Sequence, residues 1–219
     1  MEAVHKIYKP LYEILRIVDT EIQPTMPILY DMFERVKQQI SQMRGKKWVL
    51  KIINDRWDNT LSQPLHAAAH FLNPNFHYRH DVGYSLHFTN SLAIVVEQFN
   101  INGEIADTFV DEIVCFRDAK ESFGSTIARK TRETRNTADW WTQCGYSAPN
   151  MQKIAMRVLA QTASSSACER NWSTFAIIHT KQRNRLAYQK LEKIVYYYYN
   201  MKLRLRDKQA KNNVFAIAV

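Results

Sequence analysis

Apolar residues recur every three or four positions through most of this 219-residue chain, which is the spacing of one face of an α-helix. The clearest stripe begins just after Pro149, and its members are Met151, Ile154, Ala155, Val158 and Leu159. Glycine is scarce, with 5 residues, and stretches of alternating apolar and polar residues, which mark strands, are few. The sequence therefore predicts a mainly α-helical protein with little or no sheet.

Three of the predicted helices lie near the N-terminus, and we expect them to pack as an antiparallel bundle. The first apolar stripe covers residues 4–18, with Pro10 as a kink or a restart. We expect Thr25 to cap the second helix and Pro27 to lie in its first turn. The third stripe covers residues 49–60.

The middle of the chain predicts one loop followed by further helices. Residues 72–90 contain proline, glycine and many polar aromatic residues, so we expect a loop there. Helical patterns follow at residues 89–99, 104–120 and 189–205. Residues 131–138 are charged and poor in apolar types, which predicts a linker or an exposed helix and a domain boundary.

Charge is divided unevenly between the two parts of the chain. Residues 1–120 hold 13 Lys and Arg against 15 Asp and Glu, whereas residues 121–219 hold 17 against 6. A basic segment of this size favours a polyanion such as DNA, although a solvated basic helix surface explains it equally well. The candidate phosphate contacts are Lys181, Arg183, Arg185, Lys202, Arg204 and Arg206.

Several classes of protein are excluded by what the sequence lacks. No apolar run reaches the roughly 18 residues of a membrane-spanning helix, and no secretory leader precedes the first helix. Cys115, Cys144 and Cys168 have no metal-binding spacing, which favours free thiols in a reducing compartment. Glycine-rich phosphate loops are also missing, so we expect neither a small-molecule substrate nor a cofactor.

Two local patterns resemble catalytic or metal sites, and each has a simpler structural explanation. His66 and His70 stand four apart, as two zinc ligands on a helix would. The alanines between them indicate close helix packing, so we predict structural histidines and no metal site. Ser164, Ser165 and Ser166 lack the glycines of a nucleophile elbow, and we expect them to start a helix.

Large aromatic residues cluster in the last third of the chain. Trp140 and Trp141 are adjacent, and Trp172 and Phe175 follow. Such side chains either fill a core or anchor an interface. Between them lies Glu169, beside Arg170, which is either half of a structural salt bridge or a metal-binding carboxylate.

These segments together resemble the C-terminal part of hAT-superfamily transposases, most closely the plant transposon-derived proteins of that group. The resemblance covers residues 8–207 and is most specific in DWWTQCGYSAPNMQKIAMRVLAQTASSSACERNWSTFAIIHTKQRNRL, with RWDNTLSQPLHAAAHFLNP before it and VYYYYNMKLRL after it. It implies a helical insertion-domain-like bundle at residues 1–130 and the hAT dimerisation region at residues 131–207. Residues 208–219 would form a tail. The dimerisation region would contribute the C-terminal helices of a truncated RNase H-like core.

The resemblance also bears on catalysis. Glu169 matches the third carboxylate of the family's catalytic triad, whereas the two aspartates and the DNA-binding zinc finger would precede this sequence and have no equivalents in it. A single carboxylate cannot hold the two divalent ions that cleave a phosphodiester. We therefore expect no enzyme activity, and Mg²⁺ or Mn²⁺ would matter only in a complete transposase.

The expected function is protein dimerisation, with a second copy or a related hAT protein as the partner, in the nucleus. Two alternatives stay open: a basic nucleic-acid-binding module, and a C-terminal fragment of an active transposase. The residues expected to form the dimer interface or the core are Trp140, Trp141, Ile154, Val158, Leu159, Trp172, Phe175, Leu191 and Val195.

Overall fold

A computed structural model describes residues 2–20, 24–99, 108–179 and 186–217 of the chain. Every regular element in these ranges is helical, which confirms the predicted mainly α-helical fold. The chain forms two compact units, Met1–Ala163 and Ser164–Val219. They are described separately below.

The first unit contains ten α-helices among its described residues. They are α1 (Glu2–Val18), α2 (Met26–Ser41), α3 (Lys47–Arg56), α4 (Pro64–Leu72), α5 (Pro74–Arg79), α6 (Leu86–Phe99), α7 (Phe109–Arg117), α8 (Thr126–Thr131), α9 (Thr137–Cys144) and α10 (Pro149–Leu159). A π-helical turn follows α3, and 3₁₀ turns precede α6 and α8. The second unit consists of α11 (Ser166–Ile178) and α12 (Tyr188–Ile217).

The three predicted N-terminal helices are present and share a small core of their own. Its fully buried members are Ile7, Ile14, Leu29, Val36, Ile40, Val49, Ile53 and Trp57. Helix α1 continues through Pro10. Pro27 lies in the first turn of α2, as predicted. Thr25 occupies the N-cap position of α2, as predicted, but its hydroxyl does not cap the helix and accepts a hydrogen bond from the backbone N–H of Ala163 at 3.2 Å instead.

The larger core of the first unit forms around α4, which packs closely against α6 and α2. Ala67, Ala68 and Ala69 are almost completely buried, because their small side chains let the neighbouring backbones approach. This placement agrees with the predicted structural role of the alanine run.

The loop predicted for residues 72–90 is wrong, because α5, a 3₁₀ turn and the start of α6 occupy this stretch. Asn73 explains the error. Its side-chain oxygen accepts from the N–H of Asn75 at 3.1 Å and so caps α5, while its amide donates to the carbonyl of Pro27 at 3.0 Å. Proline and asparagine thus start a helix here rather than interrupt one.

The predicted boundary between residues 130 and 131 falls within α8, inside the first unit. The division between compact units lies 33 residues further on, after Ala163, because α9 and α10 pack into the core around α4. At the other end, the backbone of residues 208–217, which we expected to form a tail, continues α12.

Candidate dimerisation surface

The adjacent tryptophans are core residues of the first unit. Trp140 and Trp141 are 1% and 0% exposed. Their indole N–H groups donate to the carbonyls of Ala128 and Leu72, at 3.0 and 2.8 Å. Because both polar atoms are paired, the two rings are buried without an unsatisfied donor.

The stripe of α10 is also interior. Ile154, Val158 and Leu159 are buried in the same core as the two tryptophans. Five of the nine residues expected at the dimer interface or core therefore belong to the interior of the first unit, and they leave almost no surface for a second chain.

A carboxylate that sequence reasoning missed holds the start of α10. Glu112 on α7 is buried, and its two oxygens accept from the backbone N–H of Met151 at 2.7 Å and the side-chain amide of Asn150 at 2.8 Å. These bonds and the positive end of the helix offset the cost of burying the charge. The available signal was its position on the buried face of α7, three residues after Phe109 and four before Phe116.

His66 and His70 both contact other residues of the first unit. His66 Nδ1 accepts from the N–H of Gln63 at 3.2 Å, at the start of α4. His70 is buried among the rings of Tyr30, Phe76 and Phe88, and burial lowers its pKa to about 4. Within the ranges that the structure describes, no group of three His, Cys, Asp or Glu could hold a metal ion.

The second unit presents a different balance of buried and exposed residues. Ile178, Leu191 and Val195 form a small buried cluster in which α11 contacts α12. Large apolar and aromatic side chains of this unit are exposed to solvent. They are Trp172, Phe175, Ile177, Tyr188, Ile194, Tyr196, Tyr197, Tyr198, Met201 and Leu205. Exposed apolar area of this extent is typical of an interaction surface.

The remaining predicted anchors divide between these two groups. Leu191 and Val195 are buried within the second unit, whereas Trp172 is 76% exposed and Phe175 is 36% exposed. Trp172 and Phe175 are three residues apart on α11, so they lie on the same side of the helix. The structure therefore brings only Trp172 and Phe175, of the nine, to an open surface.

Glu169 lies in the first turn of α11 and is exposed. The Ser165 hydroxyl donates to its carboxylate at 3.3 Å, and the Ser164 hydroxyl accepts from the N–H of Ser166 at 3.1 Å. These bonds agree with the predicted role of the serines in starting a helix. The side chain of Arg170, the predicted salt-bridge partner, lies outside the described residues.

Only half of the predicted phosphate contacts fall in the described part of the chain. Lys181, Arg183 and Arg185 lie outside it. Lys202 and Arg204 are exposed on α12, and Arg206 is partly buried. Nucleic-acid binding stays a prediction.

Comparison with known families gives a match to part of the chain. Residues 106–201 match the hAT family C-terminal dimerisation region. The match supports hAT membership and a dimerisation role. It begins earlier than the predicted residue 131 and includes α7–α11 and the first half of α12. The open surface around Trp172 therefore lies inside the hAT dimerisation region.

No curated protein matches the chain. In the part of the chain that the structure describes, no helix combines the length and the apolar character needed to cross a bilayer.

Proposed function

We propose that this chain is a non-catalytic hAT-derived protein whose activity is self-association through α11. The observation that carries the proposal is the exposure of Trp172 inside the matched dimerisation region. The second unit buries three large apolar residues in its own cluster and exposes many more. A second copy that covers these side chains would remove their apolar area from water.

We place Trp172 at the centre of this interface. Tryptophan is enriched among the residues that dominate binding energy, because it combines a large apolar area with a polar N–H. Covering an indole of this exposure stabilises a complex by on the order of 2 kcal/mol. Phe175 extends the same side of α11 and gives the interface a second ring.

The setting of Glu169 supports the non-catalytic part of the proposal. The carboxylate is exposed, and among the described residues it accepts a hydrogen bond from Ser165, which directly precedes α11. The two aspartates that would complete the family's catalytic triad have no counterpart in the sequence. Mg²⁺ or Mn²⁺ would be bound only if other carboxylates joined Glu169 in a complete transposase.

The more detailed parts of the proposal rest on the sequence resemblance to hAT transposases and on the basic charge of the C-terminal part of the chain. These are the derivation from a plant transposase with an RNase H-like core, residence in the nucleus, and contact with DNA through the basic residues. They stay predictions.

Sedimentation equilibrium of the full chain tests the proposed function. We expect a dimer at tens of micromolar and a roughly thousandfold weaker association for Trp172→Ala, because a symmetric dimer loses one indole from each copy, or about 4 kcal/mol of stabilisation in total. Trp48→Ala is the matched control, since Trp48 is 61% exposed and lies outside the matched region. A monomeric wild-type chain, or equal weakening by both substitutions, would contradict the proposal.

A further inference from the structure

Helix α12 carries an exposed apolar stripe with coiled-coil spacing. Its members are Ile194, Tyr198, Met201 and Leu205, separated by four, three and four residues and between 41% and 62% exposed. We call this stripe the α12 seam. Alternating steps of four and three place residues at the a and d positions of a heptad, which is the pattern that receives a partner helix.

The α12 seam continues the stripe that holds α12 in its unit. Leu191, at the a position three residues before Ile194, is buried with Ile178 and Val195, whereas the four seam residues are exposed. The seam spans residues 194–205, which is about 17 Å and three helical turns. That length matches one side of a short amphipathic helix.

Positive charge flanks the α12 seam on both sides. Lys190 and Arg204 occupy g positions, and Lys202 occupies an e position. All three are exposed, and none forms an ion pair within the described residues. The acidic residues of α12, Glu192 and Asp207, lie toward the opposite side of the helix and leave the flanks positive.

We propose that the α12 seam binds an amphipathic helix whose apolar residues are flanked by Asp or Glu. Oppositely charged e and g residues attract across a helix pair, whereas like charges repel. A second copy of this chain would place the same cations against those of the seam, and the like charges would repel. Charge complementarity therefore favours a different, acidic partner. The proposed contact rests on the seam and its flanking cations and does not depend on the proposed self-association.

The apolar stripe distinguishes this partner from a nucleic acid. Phosphates need cations alone, and they gain nothing from four apolar side chains arranged between those cations. A helix with an apolar stripe and acidic flanks matches both features.

A synthetic peptide of four heptads provides the test. It has Ile at a, Leu at d and Glu at e and g, and a second peptide has Lys in place of Glu. Fluorescence anisotropy with the full chain should show binding of the acidic peptide at least tenfold tighter than that of the basic peptide, decreasing as salt rises. Equal affinity for the two peptides, or no binding of either, would overturn the proposal.

Reversing the charge of two cations beside the seam tests whether these cations select the acidic peptide. The double variant Lys202→Glu/Arg204→Glu should reverse the preference between the two peptides. The control Lys130→Glu/Lys153→Glu changes the net charge equally, uses exposed lysines outside α12, and should preserve the preference. A reversed preference in the control, or an unchanged one in the first variant, would show that net charge rather than the seam selects the peptide.

Met201→Asp places a charge in the stripe and should abolish binding of both peptides. It should leave the dimer dissociation constant unchanged, and circular dichroism at 222 nm checks that the exposed substitution preserves the helices.

Loss of self-association in Met201→Asp would assign the seam to a second copy. Displacement of the acidic peptide by mixed-sequence duplex DNA that also binds Met201→Asp would assign the cations to a polyanion. Either result would overturn this proposal, whereas a monomeric chain that still binds the acidic peptide would overturn only the proposed self-association.

Discussion

At the scale of single residues, the interior of the first unit holds polar groups that are paired in unexpected ways. Three polar side chains each form a hydrogen bond with a backbone group far away in the sequence. The hydroxyl of Thr25 accepts from the N–H of Ala163. The amide of Asn73 donates to the carbonyl of Pro27, and the carboxylate of Glu112 accepts from the N–H of Met151. Sequence periodicity detects apolar faces, but it gives no information about hydrogen-bond partners that are distant in the sequence. That is why the role of Thr25 was mispredicted and Glu112 was missed.

Two buried histidines predict acid sensitivity at this scale. Burial lowers the pKa of both His70 and His77 to about 4, so both are neutral in the folded chain near neutral pH. The unfolded chain takes up protons near pH 6.5, and stability is therefore lost as pH falls from about 6.5 toward 4. The free energy of unfolding should drop by up to about 1.4 kcal/mol per pH unit for each histidine.

Urea unfolding between pH 5 and pH 8 measures this dependence. His70→Phe keeps a ring beside Tyr30, Phe76 and Phe88 and removes one titrating group. We expect its pH slope below 6.5 to be shallower than that of the wild-type chain but not zero, because burial also lowers the pKa of His77 and His66. The same slope in both proteins would show that His70 does not titrate differently on unfolding.

At the scale of elements, the sequence predicts helices well where one apolar face is continuous and poorly where a cap starts the helix. The stripe of α10 and the helix of residues 189–205 were predicted from local spacing. Helix α5 was missed, because its six residues are too few for periodicity and depend on the Asn73 cap. Periodicity also left open whether Trp140 and Trp141 face a core or a partner, since both give the same pattern.

Helix α10 depends on a carboxylate from α7, and this predicts a specific loss of stability. Glu112→Gln replaces one of the two acceptor oxygens by an N–H₂ group, which then faces either the N–H of Met151 or the side-chain amide of Asn150. We expect the free energy of unfolding in urea to fall by about 1–3 kcal/mol. Glu97→Gln, at an exposed position of α6, should change it by less than about 0.5 kcal/mol. Similar effects of the two substitutions would contradict a role for Glu112 at the α10 start.

At the scale of the whole molecule, the proposed association surface and Glu169, which we match to the family's third catalytic carboxylate, lie on the same helix, α11. A chain with one such carboxylate should not cleave DNA, because the two-metal reaction needs further oxygen ligands. We expect the purified 219-residue chain to leave supercoiled plasmid intact in Mg²⁺ or Mn²⁺. Cleavage by the wild-type chain that disappears in Glu169→Gln would show instead that Glu169 is catalytic.

The distribution of tryptophans has a practical consequence for optical measurements. Trp57, Trp140 and Trp141 are buried, whereas Trp48 and Trp172 face water. In a Trp48→Phe chain, Trp172 would be the sole indole whose fluorescence a soluble quencher such as iodide could reach. The chain would then carry its own unlabelled probe of whether α11 is open or covered.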